Sequence, residues 1–241
     1  DIICTISKLT DDIVKNVAPS VKRVRIPHTV DTDIFCKKSE QSDLEMRKKI
    51  TDDHEDKIIF FWNNRNARRK QPGSIMFWFK EFLNRVGKDK AVLIMHTEPR
   101  DPHGQDLIKI IETLGLTNGE IAISRTKLPP EDLAKVYSAV DCTINVSDAE
   151  GFGLATLESL SCQTPIIVNM TGGLQEQVTD GKNWFGFGIE PSSKCIIGSQ
   201  DVPFIYEDRI NGEEFINTLE KFYNLSKKER ENMGVLGRGH V

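Results

Sequence analysis

The sequence predicts an α/β protein built on a doubly wound parallel sheet. From residue 57 onward, short apolar, β-branched runs alternate with longer segments whose apolar residues recur at helical spacing. That alternation is the signature of βαβ units with right-handed crossovers. The run Ile58-Ile59-Phe60-Phe61-Trp62 is apolar without a break, as in a strand buried on both faces. Three polar or glycine-bearing segments, 63–70, 124–128 and 150–154, each follow a predicted strand. In a parallel sheet they converge on one rim, outside the carboxyl ends of the strands, where ligands bind.

Residues 2–6 are apolar and β-branched and predict a strand; Thr10 or Asp11 can cap a short helix to about Val17; residues 21–26 predict a second strand. Pro27, Asp31 and Asp33 mark a turn-rich crossing. Residues 37–56 are charged and poor in apolar side chains, and read as a linker with one exposed helix. Further strands are expected at 58–62, 91–95, 121–124, 141–146, 165–168 and 185–189. Between them, Pro72 opens a helix with Ile75, Met76, Phe79 and Phe82 on one side. Other helices are expected at about 105–114, from Pro130 to 140, after Gly153, from Gly173 to about 180, and at 213–225 and 227–236. The predicted organisation is a 1–36 segment ending in the crossing, a 37–56 linker and a 57–241 sheet domain.

Composition narrows the function. The 241 residues carry a net charge of −4, with no support for nucleic-acid binding. No apolar run approaches the ~20 residues of a membrane helix. The N-terminus lacks a basic n-region and does not begin with Met, so the natural start is expected outside this sequence. Five scattered cysteines without a C-x-x-C point to a reducing compartment, the cytoplasm. The sequons at Asn145, Asn169 and Asn224 read as chance matches. No His and carboxylate cluster has metal-ligand spacing.

The richest stretch is E-G-F-G-L-A-T-L-E, Glu150 to Glu158, between a strand and a helix. Gly151 and Gly153 bracket Phe152 and let the backbone approach a ligand. The helix start offers free N–H groups and a positive dipole end, which suit a phosphate. Glu150 and Glu158 flank that cradle, fitting a nucleotide-sugar, with one carboxylate for sugar hydroxyls and one for a ribose. Arg65 and Lys70, with Arg68 and Arg69 between them, follow the first strand of the block and suit a diphosphate. Thr126 and Leu128 lie in a loop that can flank a nucleobase and also opens a helix at Pro130. Thr171-Gly172-Gly173 reads more as a helix cap than as a ligand loop, and Glu176 as a first-turn acid. His28 and His96 receive no catalytic role.

Together these motifs resemble the retaining glycosyltransferases of family 4, which have the GT-B architecture of two Rossmann-like domains. Glu150 and Glu158 match the family's E-x7-E signature, with G-F-G-L between. Arg65 and Lys70 match its G-R-x-x-x-x-K-G pattern, with Asn64 and Gln71 in place of the two glycines. Ile26 to Phe35 matches the interdomain phrase iPxGVDtxxF, with Thr29 in place of glycine. Thr126-Lys127-Leu128-Pro129, and Gly172-Gly173 with Glu176, match as well. The resemblance runs over roughly the whole chain. It implies a GT-B C-terminal, donor-binding domain, with residues 1–36 as the last strands and helix of an acceptor domain plus the crossing. The rest of that domain and the final helix are expected to lie outside the sequence. It implies transfer of a hexose from a nucleotide-sugar to a sugar, glycan, lipid or protein-linked acceptor, with retention and without a metal or cofactor. Family frequency favours GDP-mannose over a UDP-hexose. In the implied roles Arg65, Lys70 and Glu150 are catalytic, while Gly151, Phe152, Gly153, Leu154, Glu158, Thr126 and Leu128 bind the donor. A nucleotide-sugar-binding module without transfer activity is the alternative; a phosphorylase would need a pyridoxal phosphate lysine, for which no context is visible.

Overall fold

The computed structural model describes residues 2–52, 54 and 56–241. It begins with β1 (Ile2–Thr5), α1 (Lys8–Val17) and β2 (Lys22–Arg25), and β1 pairs parallel with β2. The cap of α1 is Ser7 and not Thr10 or Asp11: its side chain accepts from the Thr10 N–H at 3.2 Å. The crossing segment then leads to α2 (Glu40–Thr51). This helix does not stand free. Arg47 donates to the Ala139 carbonyl and to Asp141, both at 2.9 Å, which holds α2 against the sheet domain.

The sheet domain comprises β3 (Ile58–Asn63), α3 (Pro72–Val86), β4 (Ala91–His96), α4 (Leu107–Leu114), β5 (Ile121–Ser124), α5 (Pro130–Ala139) and β6 (Cys142–Asn145). It continues with α6 (Leu154–Ser161), β7 (Ile166–Asn169), α7 (Leu174–Val178), β8 (Gly186–Ile189), β9 (Ser193–Ile197), β10 (Ile205–Arg209), α8 (Gly212–Tyr223) and α9 (Lys227–His240). Six strands form one sheet in the order β5-β4-β3-β6-β7-β8, and every pairing is parallel. The doubly wound sheet expected from the sequence is the fold found. The chain winds outward from β3 to β5, returns to the centre at β6, and winds the other way, so strand order reverses between β3 and β6. A crevice at such a reversal is where open α/β sheets bind ligands.

The central strand shows why the sheet is covered on both sides. Phe60 and Trp62 face a cluster with Phe79, Phe82 and Phe222, from α3 and α8; Ile59 and Phe61 face Tyr137 of α5. All four are at most 1% exposed, so polar residues in β3 are confined to its carboxyl end. The antiparallel hairpin of β9 and β10 lies outside the main sheet and was not expected from the sequence. Among the described residues no helix is long and apolar enough to cross a membrane.

Candidate functional site

Because β3, β5 and β6 run parallel, the three predicted functional segments leave the sheet at the same rim. The segment after β6 makes a tight turn into α6, whose N-cap is Gly153 at φ +94°. A side chain there would be strained and would also crowd Leu174, since a Cβ would lie 2.7 Å from its Cδ2. Gln177 pins the turn by donating to the carbonyls of Phe152 at 2.6 Å and Gly153 at 3.1 Å. The turn therefore keeps the first N–H groups of α6 directed outward, where no intrahelical acceptor exists for them.

The segment after β3 brings Lys70 to this turn. A short 3-10 turn at Arg68–Lys70 ends at Gln71, which adopts the left-handed conformation at φ 58°. Here the family pattern has glycine, and Gln71 is held instead by donating to both oxygens of Asp148 at 2.8 and 2.7 Å. Lys70 is 7% exposed and its Nζ donates to Glu150 Oε2. Burial pulls the Lys70 pKa below its usual value, and the Glu150 carboxylate opposes that shift. Arg69 donates to the Ala149 carbonyl at 2.7 Å and lies 3.7 Å from Glu150 Oε2. Two cations thus gather on one carboxylate in front of a helix N-terminus.

A pocket of about 390 Å3 opens at this point. Of the residues singled out in the sequence, Lys70, Glu150, Gly151, Phe152, Gly153 and Leu154 line it. Glu158 lies farther along α6. Its Oε2 accepts from Tyr137 Oη at 2.9 Å, and Tyr137 Oη accepts from Asn63 Nδ2 at 2.8 Å. Burial raises the Glu158 pKa, and the Tyr137 hydrogen bond offsets part of the rise.

Arg65 is exposed and faces Asp101, to which it donates at 2.7 and 3.1 Å; this pairing draws the Asp101 pKa to about 2. Arg68 turns to Glu207 of β10, donating at 2.6 and 2.9 Å, and so ties the hairpin to the rim. Thr126 and Leu128 sit in the β5–α5 loop on the same rim, with Thr126 exposed and Leu128 partly covered, and do not line the pocket. His96 bonds to Ser124 Oγ at 2.8 Å.

The stretch Thr171-Gly172-Gly173, read as a helix cap, supplies the N-cap of α7 through Gly173, but without a side-chain hydrogen bond. The Thr171 hydroxyl donates to Asp208 at 2.8 Å. The glycines also lie against the backbone of the Glu150 turn: the Gly173 N–H donates to the Glu150 carbonyl at 3.1 Å, and a Cβ on Gly172 would sit 1.8 Å from that oxygen. Glu176 also does more than sit in a first turn. It accepts from the Lys8 and Leu9 N–H groups, at the start of α1, and from Arg25. This contact seats the N-terminal segment beside the pocket, to which it contributes Ile6 and His28. The ring of His28 meets Phe152 edge-on, with centroids 5.1 Å apart. Asn64 and Asn145, to which the sequence assigned no site role, also line the pocket.

The sequence profile described as "Glycosyl transferases group 1" matches residues 42–235. The chain belongs to this family. Among curated relatives, the D-inositol 3-phosphate glycosyltransferase of Corynebacterium jeikeium (strain K411) is 29% identical over 178 residues, 71% of this chain and 41% of that protein. The chain thus spans less than half the length of this relative. Among solved structures, sucrose-phosphate synthase from Thermosynechococcus elongatus superposes with a TM-score of 0.75 at 17% identity, covering 100% of this chain and 53% of that one. Anabaena Alr3699/HepE in complex with UDP and glucose gives 0.72 at 16% identity, covering 99% and 57%. At these identities the structural likeness is one of fold, and it is the GT-B fold that the motifs implied. For a group 1 glycosyltransferase, the matched region contains every site residue named above from Asn63 to Glu207.

Proposed function

We propose that the chain is the donor-binding part of an enzyme that moves a hexose from a nucleoside diphosphate sugar to an acceptor, with retention and without a metal ion. One observation carries the reading: buried Lys70 meets Glu150 at the turn that opens α6, where the order of strands reverses. As the glycosidic bond breaks, negative charge collects on the departing phosphate. A preorganised cation and oriented N–H groups stabilise that charge more than they stabilise bound donor. Lys70 supplies the cation and the turn at 151–154 the amides. Arg65, from the same loop, completes the diphosphate contact by leaving Asp101.

Each carboxylate is anchored through Oε2, Glu150 by Lys70 and Glu158 by Tyr137. Their Oε1 atoms are left for ligand hydroxyls, those of the transferred hexose at Glu150 and of the ribose at Glu158. Thr126 and Leu128 flank the base. Residues 1–36 act as the end of an acceptor domain with the crossing, 37–56 as the linker and 57–241 as the donor domain, in a cytoplasmic enzyme whose five cysteines are free. GDP-mannose is the donor the family resemblance favours. A UDP-hexose is the second reading, supported by the UDP and glucose held by the Anabaena neighbour.

Release or transfer of labelled sugar from both donors by the full-length protein separates this function from a binding module without activity. Calorimetry on two variants tests the division of labour. Glu158→Gln is expected to weaken free nucleoside diphosphate and intact donor alike, by about tenfold or more. Glu150→Gln is expected to spare the free diphosphate and impair only the intact donor. Equal loss of the free diphosphate in both variants would overturn the assignment.

A further inference from the structure

Two amide nitrogens of residues lining the Lys70 pocket meet no acceptor among the described residues. Asn145, at the end of β6, is 1% exposed. Its Oδ1 accepts from Ser147 Oγ at 2.5 Å, which fixes the orientation of the amide, and its buried Nδ2 meets no acceptor among the described residues. Asn64, directly after β3, likewise holds a buried Nδ2 without an acceptor. Both residues line the same pocket as Lys70 and Glu150 because β3 and β6 are neighbours in the centre of the sheet. Buried N–H groups without a partner are uncommon, since each forgoes the hydrogen bond that water would supply.

The composition of the pocket indicates what completes them. Its lining holds one carboxylate, Glu150, and Lys70 already occupies one oxygen of it. Against that stand the Lys70 ammonium, two free amides and the first N–H groups of α6. A ligand matching such a set is rich in acceptor oxygens and needs no acceptor in return, which describes a phosphate better than a sugar hydroxyl. Neutral amides are also suited to a site that already buries a lysine. They stabilise growing negative charge without adding a second desolvated cation.

We propose that Asn64 and Asn145 donate hydrogen bonds to the oxygens of the donor phosphate that departs with the nucleotide, beside Lys70. This inference rests on the glycosyl-transfer reading and deepens it. In the family pattern a glycine stands where this chain has Asn64, so that contact is a feature of this sequence and not of the shared motif.

The test compares UDP with UMP, and GDP with GMP, by calorimetry on the wild type, Asn145→Leu and Asn64→Gly. The wild type is expected to bind the diphosphate of one base more tightly than its monophosphate. Each variant is expected to lose about tenfold of that preference, with monophosphate affinity changed less than about twofold. A general disturbance of the fold would not move the ratio in this way. Should Asn145→Leu show no cooperative urea transition, Asn64→Gly decides alone. Variants that keep the wild-type ratio, or lose both nucleotides equally, overturn the inference. A wild type that binds none of the four nucleotides overturns the donor-binding reading itself, and this inference with it.

Discussion

Replacing Gly172 with alanine tests how the Glu150 turn is held. Gly172 has φ +53°, and a Cβ there would lie 1.8 Å from the Glu150 carbonyl oxygen, so the two segments must part by about 1.2 Å to reach a 3.0 Å contact. The left-handed backbone alone costs a non-glycine residue about 1–2 kcal/mol. Forced overpacking adds about 1–3 kcal/mol. Gly181 supplies the control: its φ is +88°, and a Cβ there meets nothing within 4 Å. Gly181→Ala is therefore expected to cost only the backbone contribution, and Gly172→Ala about 2–5 kcal/mol in all, read from urea unfolding at constant m. The group that retreats is the backbone of a proposed donor residue, so Gly172→Ala should also weaken the intact nucleotide-sugar by about tenfold or more, and Gly181→Ala should not. Equal stability losses for the two variants, with wild-type donor affinity in both, would refute the reasoning.

Two further predictions concern protons. Burial raises the Cys162 thiol to about 12, so between the unfolded thiol value near 9 and that pKa the folded state holds a proton that the unfolded state has released. Stability is therefore expected to fall as pH rises through this window, and Cys162→Ala should make the fall shallower by up to about 1.4 kcal/mol per pH unit in denaturant melts taken between pH 9 and 11. Tyr137→Phe removes the hydrogen bond that offsets the burial of Glu158. The Glu158 pKa should rise further, so that on acidification nucleoside diphosphate affinity is lost at a higher pH than in the wild type; a titration series from pH 5 to 8 checks this, and an unchanged midpoint would count against ribose binding by Glu158.

The central sheet was legible because strands buried on both faces, such as β3, have no polar interruption to obscure them. The turn at Glu150 was legible because its glycines and carboxylates are adjacent in sequence. The hairpin of β9 and β10 was not, since its inward face carries Glu207, whose burial depends on Arg68 from a distant loop. The same distance hid the purpose of Gly172, which is defined by the carbonyl of Glu150 and not by the helix that follows it. Gln71 shows a tertiary contact overriding a local preference: the Asp148 carboxylate holds a glutamine in a conformation where glycine was expected. Asn64 and Asn145 each follow or end an apolar strand, and nothing in their local pattern distinguishes a polar strand end from a residue lining a pocket.

Among the described residues Lys70 is the one buried cation at the α6 turn. The decisive measurement is the turnover of nucleotide-sugar by full-length Lys70→Met beside its affinity for the free nucleoside diphosphate. Charge stabilisation in the bond-breaking step predicts that turnover falls by about 10²–10³ while affinity for the free diphosphate falls by less than about tenfold. Equal losses in both, or turnover at the wild-type rate, would contradict it.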